Sequence, residues 1–253
     1  MELNLKDRLV LACDQSAVLQ SFGDTSEAEK LIGRLGRHVG WVKLNSAFIS
    51  GGSKLVKLAR VYGAKVWLDL KWHDVPDTVA NYVSEAINEL KSSVSMFNVH
   101  ASGGSKMMKA VAIKLNEMFA DDMAEQRPLA IAITVLTSLG EEGFKELGFT
   151  CTIAEQVLRL AALTKNAGLN GVVASPLEAK MLRAKFGKDF LIVTPGIRFD
   201  EESKDGQARV TTPMEAIANG ADMIVMGTSL IKGGLPAVER AYIEIEEGLR
   251  CRG

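Results

Sequence analysis

"KVWLDLKWHDVPDTVANYVSEAINELK", residues 65–91, carries two hydrophobic periodicities end to end. Residues 65–70 form a nearly continuous apolar run of strand length, whereas residues 77–91 bring an apolar side chain back every three or four positions, as one face of a helix requires. Strand, short loop and helix in that order make one βα unit. Similar apolar runs stand at LVLAC (9–13), WVKLN (41–45), SMFNVH (95–100), LAIAITVL (129–136), GVVAS (171–175), LIVTPG (191–196) and MIVMG (223–227). Amphipathic stretches lie between them, among them TSEAEKLIGRLGRHV (25–39) and TIAEQVLRLAALTKNAG (152–168). Near-continuous apolar strands alternating with helices imply a parallel sheet whose outer faces the helices cover. Eight such units in 253 residues predict an α/β protein, a closed (β/α)8 TIM barrel forming one domain over residues 1–253. A doubly wound sheet would carry a glycine-rich turn after its first strand, and ACDQSAVLQ (12–20) has none.

Composition narrows the function classes. With 30 Lys and Arg against 31 Asp and Glu, the net charge is −1, so no global field invites a nucleic acid or an anionic membrane. An anionic ligand has to be caught locally. The start, MELNLKDRLVLACDQ, has no basic flank, long apolar core or small-residue cleavage site, and no apolar run is long enough to span a bilayer. Three scattered cysteines, Cys13, Cys151 and Cys251, suggest neither a disulfide framework nor a zinc site. A cytoplasmic protein is expected.

In barrels of this kind chemistry gathers where the strands end, so the polar residues closing each apolar run are the ones to read. They are Asp14, Lys43, Asn45, Asp69, Lys71, Asn98, His100, Thr137, Ser175, Arg198 and Thr228. Side chains two apart on a strand share a face, so Asp69 and Lys71 both project into the barrel mouth, with Asp74 following in the loop and Lys43 near enough to join. A lysine held between carboxylates keeps its proton even when partly desolvated, which makes it a general acid ready for a carbanion. The competing reading is a structural ion-pair network on the rim. Placement at a strand end favours chemistry.

LDLKWHDVPDTV (68–79) closely resembles the signature segment of the orotidine 5'-monophosphate decarboxylase family, and the resemblance continues in order along nearly the whole chain. LACDQ (11–15), WVKLN, FNVHASGG (97–104), ITVLTSLG (133–140) and TPGIRFDEESKDGQARVTTPMEAIANGADMIVMG (194–227) carry it. It implies decarboxylation of orotidine 5'-monophosphate to uridine 5'-monophosphate, the last step of making that nucleotide, with neither cofactor nor metal. By position it implies a charged array of Asp69, Lys71 and Asp74, with Asp14 and Lys43 as ribose and network residues. Thr137, with Ser138 beside it, matches the residue reading the pyrimidine edge, and Gln207 the one spanning base and phosphate. In that family the second aspartate and the threonine of the D-x-P-x-T segment cross a dimer interface, so a homodimer is implied, with Asp74 and Thr78 serving the partner's site. One departure stands out. The family's eighth strand ends V-G-R, but this chain reads VMGTSLIKGG (225–234), with Thr228 where the phosphate-gripping arginine is usual. Backbone N–H groups at Gly227 and Thr228, the hydroxyls of Thr228 and Ser229, and a cation from Lys232, Arg198 or Arg209 are the expected replacements.

The remaining residues suit quieter roles. His73 and His100 fit hydrogen-bonded structural histidines better than metal ligands, and His38 a helix end at the surface. Trp41, Trp67 and Trp72 fit packing, and Cys13 a buried strand position. The pairs Gly51–Gly52, Gly103–Gly104 and Gly233–Gly234 are expected to open helices. Two rival functions stay open: a magnesium-dependent sugar-phosphate decarboxylase or synthase of the same superfamily, and a catalytically silent nucleotide-binding barrel.

Overall fold

The structure, a computed structural model, describes residues 3–13, 25–90, 93–119, 127–201 and 211–252. Each apolar run becomes a strand: β1 (Leu9–Cys13), β2 (Trp41–Leu44), β3 (Lys65–Trp72), β4 (Met96–His100), β5 (Leu129–Ile133), β6 (Gly171–Val173), β7 (Leu191–Thr194) and β8 (Met223–Met226). Every strand pairs in parallel with the next, and β8 returns to β1, so the sheet closes into the expected barrel and no edge is left open. The α-helices that follow the strands are α1 (Ser26–Leu35), α2 (Ser46–Val61), α3 (Pro76–Leu90), α4 (Gly104–Met118), α5 (Glu141–Glu146), α6 (Ile153–Asn166), α7 (Pro176–Phe186), α8 (Pro213–Ala218) and α9 (Thr228–Cys251). Thr152 and Thr212 start α6 and α8 with reciprocal capping boxes through Glu155 and Glu215.

Alternation along the strands splits the apolar residues into two nested cores. Leu9, Leu11, Leu44, Val66, Phe97 and Ile192 face outward beneath the helices. Val10, Trp41, Trp67, Met96, Ile131 and Val193 face inward and fill the barrel. At ~25 cal/mol per Å² over the roughly 150–250 Å² that an aromatic residue buries, Trp41 and Trp67 each gain about 4–6 kcal/mol on transfer. Their indole N–H groups find no hydrogen-bond partner among the described residues, which costs about 1–3 kcal/mol each. Apolar burial therefore wins at both positions. The same parity has a second consequence. Two residues beyond each inward-facing plug lie Lys43 after Trp41, Asp69 after Trp67 and Asn98 after Met96, and all three are buried. The periodicity that fills the barrel with hydrocarbon thus lifts polar groups to its C-terminal end.

All three glycine pairs stand where a helical segment opens, as expected. Gly104 opens α4, at φ 83°. Gly51–Gly52 and Gly233–Gly234 open the second segments of α2 and α9, with Gly52 at φ 48°, ψ −140° and Gly234 at φ 63°, ψ −144°. A residue with a Cβ is strained at such angles, so each pair breaks its helix into a short segment against the strand end and a longer one along the barrel.

The opposite end of the barrel is locked by charge. Asp222, just before β8, takes a hydrogen bond from the Ile192 N–H at 2.8 Å and pairs with Arg183 and Arg252, while Arg183 also reaches the carbonyl of Gly220. None of the helices among the described residues is long and apolar enough to cross a membrane.

Candidate active site

The charged residues of β2 and β3 meet at the C-terminal end of the barrel. Lys43 Nζ lies 2.8 Å from Asp69 Oδ2, and Lys71 Nζ 2.8 Å from Asp69 Oδ1. Asn98 on β4 adds a third donor, its Nδ2 giving a hydrogen bond of 2.6 Å to the same Oδ1. Lys43 and Asp69 are each 6% exposed, so the pair sits where desolvation is costly. Lys71 remains partly open to solvent, its side chain 31% exposed. The groups are thus a carboxylate gripped by two ammoniums, one sealed in and one facing outward.

Burial by itself would raise the pKa of Asp69, because it penalises the anion; the charges and hydrogen bonds of Lys43 and Lys71 outweigh it and hold the carboxyl below its ordinary value. The sign for stability follows directly. Asp69 binds a proton less readily folded than unfolded, so its anion stabilises the fold above the unfolded value near 3.8, and this is lost as pH falls through the lower folded value. The stability gap between the wild type and Asp69→Asn is therefore expected to narrow on acidification below about pH 4, by at most ~1.4 kcal/mol per pH unit. Urea unfolding at stepped pH checks this. A gap that widens on acidification contradicts it.

The backbone at Lys71 is unusual. Its φ is +53°, and it is the one non-glycine residue at positive φ among those described. Such a conformation costs about 1–3 kcal/mol and is held only where surrounding contacts enforce it. The rim beside it carries His73 and His100, whose rings meet edge to face at 5.6 Å. Burial first, then His73 and Lys71, lower the pKa of His100, which keeps that imidazole neutral at neutral pH. His73 Nε2 lies 3.4 Å from Ser102 Oγ.

Asp74 does not join the array within the chain. It is exposed in the loop after β3, where its Oδ1 accepts from the Val75 N–H at 2.6 Å and its Oδ2 from the Tyr82 hydroxyl at 3.5 Å. Val75 and Tyr82 are themselves exposed, at 61% and 44%. Thr78 is half-buried in the first turn of α3. Thr137 and Ser138 fall in the turn beyond β5, the first half-buried and the second exposed. Arg198 follows β7; its N–H donates to the Thr211 carbonyl at 3.1 Å, and its Nε is buried with no hydrogen-bond partner among the described residues. Gly227 caps α9 and Thr228 opens it, both half-buried, while Lys232 is exposed. Asp14, Gln207 and Arg209 lie outside the described residues.

The profile of the Orotidine 5'-phosphate decarboxylase / HUMPS family matches residues 7–241, which takes in all eight strands and the whole array. The chain belongs to that family. Among its relatives in the decarboxylase family, the orotidine 5'-phosphate decarboxylase of Syntrophus aciditrophicus is 40% identical over 250 residues, covering 97% of this chain and 96% of that protein. That of Syntrophotalea carbinolica is 41% identical over 230 residues, covering 88% and 93%. A crystal structure of orotidine 5'-phosphate decarboxylase from Lactobacillus acidophilus has the same fold, with a TM-score of 0.74 at 31% identity, covering 96% of this chain and 98% of that one. Against this background Asn98 is the residue that sequence reading left without a role. Its parity on β4 points it inward, but its partners depend on how β3 and β4 are offset.

Proposed function

We propose that the chain, as one barrel domain over residues 1–253, decarboxylates orotidine 5'-monophosphate to uridine 5'-monophosphate, using its own side chains alone. The observation that carries the reading is the Asp69 carboxylate paired at 2.8 Å with both Lys43 and Lys71 at the strand ends of a decarboxylase-family barrel. Loss of CO2 breaks the bond between C6 of the pyrimidine and its carboxylate carbon and leaves the electron pair on C6. An sp² carbanion of this kind is poorly delocalised, so a fixed positive charge already in place lowers the barrier most. Lys71 supplies that charge, then gives its proton to C6. The carboxylate departs as CO2, C6 gains hydrogen, and the neutral amine recovers a proton from water.

The other residues take supporting parts in this reading. Asp69 and Lys43 fix the ammonium of Lys71, Asp14 holds the ribose, Thr137 and Ser138 face the base, and Gln207 spans base and phosphate. Gly227, Thr228 and Arg198 take the phosphate, and Arg198 is the favoured cation because its buried Nε has no hydrogen-bond partner among the described residues. Phosphate and ribose do no chemistry, but their binding energy can be used to organise the reacting end. The working unit is a homodimer in which Asp74 and Thr78 complete the partner's site.

Following pyrimidine absorbance with purified protein, orotidine 5'-monophosphate and EDTA tests the reading. Turnover in chelator is expected. Turnover abolished by EDTA would move the chain to metal-dependent chemistry, and binding without turnover would make it a silent receptor. Thr228→Arg is expected to lower KM roughly tenfold or more, the worth of one charged hydrogen bond of about 1.5–3 kcal/mol, with kcat little changed. An unaltered KM would place the phosphate elsewhere.

A further inference from the structure

Strands β3 and β4 run in register through Trp67 with Met96 and Leu68 with Phe97, and resume at Trp72 with Val99. Between these points Asp69, Leu70 and Lys71 stand against Asn98 alone. The ladder cannot serve the displaced backbone there, and an unpaired N–H in this setting is costly. Asn98, with no exposed surface, fills the gap with its side chain. Its Oδ1 accepts from the Lys71 N–H at 2.8 Å, and its Nδ2 donates to Asp69 Oδ1 at 2.6 Å. An amide can donate and accept at once; an ionised carboxylate only accepts, and an alkyl group does neither.

From this geometry we infer that Asn98 is the positioning residue of the charged array, setting the left-handed backbone of Lys71 with one end of its amide and the Asp69 carboxylate with the other. The inference rests on the reading of Lys71 as the proton donor. Oδ1 of Asp69 receives Asn98 Nδ2 and Lys71 Nζ together while Oδ2 receives Lys43, so the carboxylate cannot roll without breaking one of three bonds. Without the amide, the strain at Lys71 loses its restraint and the ammonium drifts from the reacting carbon. Misplacement by about 1 Å costs on the order of 10²-fold in rate.

Two variants test this, each against its own melting temperature so that only folded protein is compared. Asn98→Ala is expected to lower kcat about 10²-fold with KM within about threefold, and to speed hydrogen exchange of the Lys71 amide at least ~10-fold. The near-isosteric Asn98→Asp keeps an acceptor for that amide and loses the donor, so slow exchange should persist while kcat still falls at least about tenfold. Full kcat in both variants below their melting temperatures would overturn the inference, as would Lys71 exchange unchanged in Asn98→Ala. Should the wild type itself fail to decarboxylate orotidine 5'-monophosphate, the functional reading falls, and the exchange measurement still decides whether Asn98 sets the Lys71 backbone.

Discussion

Replacing Lys71 by alanine is expected to lower kcat for orotidine 5'-monophosphate by roughly 10⁴- to 10⁷-fold, with KM changed less than about tenfold. Two separate losses multiply. A preorganised charge or donor at the developing anion is worth about 10²–10³, and a positioned general acid about 10²–10⁴. Lys43 cannot stand in, because its ammonium is held by the other oxygen of Asp69 and is buried. The fold should survive the change: Lys71 is partly exposed, Asp69 keeps Lys43 and Asn98, and alanine is no worse at positive φ than lysine. An unchanged melting temperature beside a collapsed rate is therefore the signature. Lys71→Arg separates the two losses, since a guanidinium retains positive charge but does not give up its proton. Arginine should recover some of the electrostatic factor and none of the proton transfer. Turnover by Lys71→Ala within tenfold of the wild type would remove it as the donor.

The barrel was legible because strand and helix repeat with different periods and each of the eight runs is apolar almost throughout, as strands covered on both faces must be. Where the apolar pattern stops, prediction stops with it. β3 extends through Lys71 to Trp72, beyond the apolar run, because Trp72 regains pairing with Val99 after the offset. β5 ends at Ile133 although its apolar run continues to Leu136, which is exposed. Residue composition does not say that the pairing stops there. Lys43 and Asp69 were legible together because strand parity and barrel order bring their side chains side by side; Lys71 was legible as their neighbour in sequence, but it meets Asp69 from an offset, left-handed stretch that regular alternation does not describe. The part played by Asn98 was not, because it arises from three residues of β3 facing one of β4, and an offset between strands 27 or more residues apart leaves no local mark. The positive φ at Lys71 is equally silent in sequence, where only glycine would have announced it.

Mixing two inactive variants, Lys71→Ala and Asp74→Ala, and allowing their subunits to exchange is expected to restore about a quarter of wild-type activity. The reason is the balance of charge and exposure on β3 and the loop after it. Among the described residues of the array, Lys43, Lys71 and Asp69 sum to one excess positive charge, and the outward-facing side of Lys71 is open. Asp74 is five residues along from Asp69 but turned to Tyr82, beside the exposed Val75. A second copy docking through those apolar groups in twofold symmetry would carry each Asp74 to the other chain's Lys71, where it would oppose the excess charge and stand near the departing carboxylate. If each site draws Lys71 from one chain and Asp74 from the other, a mixed dimer holds one intact site and one doubly broken site. Random exchange makes half of the dimers mixed, so a quarter of all sites are whole. If both residues instead served the same chain, every site would lack one of them and no recovery could occur. Native mass spectrometry of the mixture fixes the fraction of mixed dimers, and abundant mixed dimers without activity would rule out a site shared between subunits.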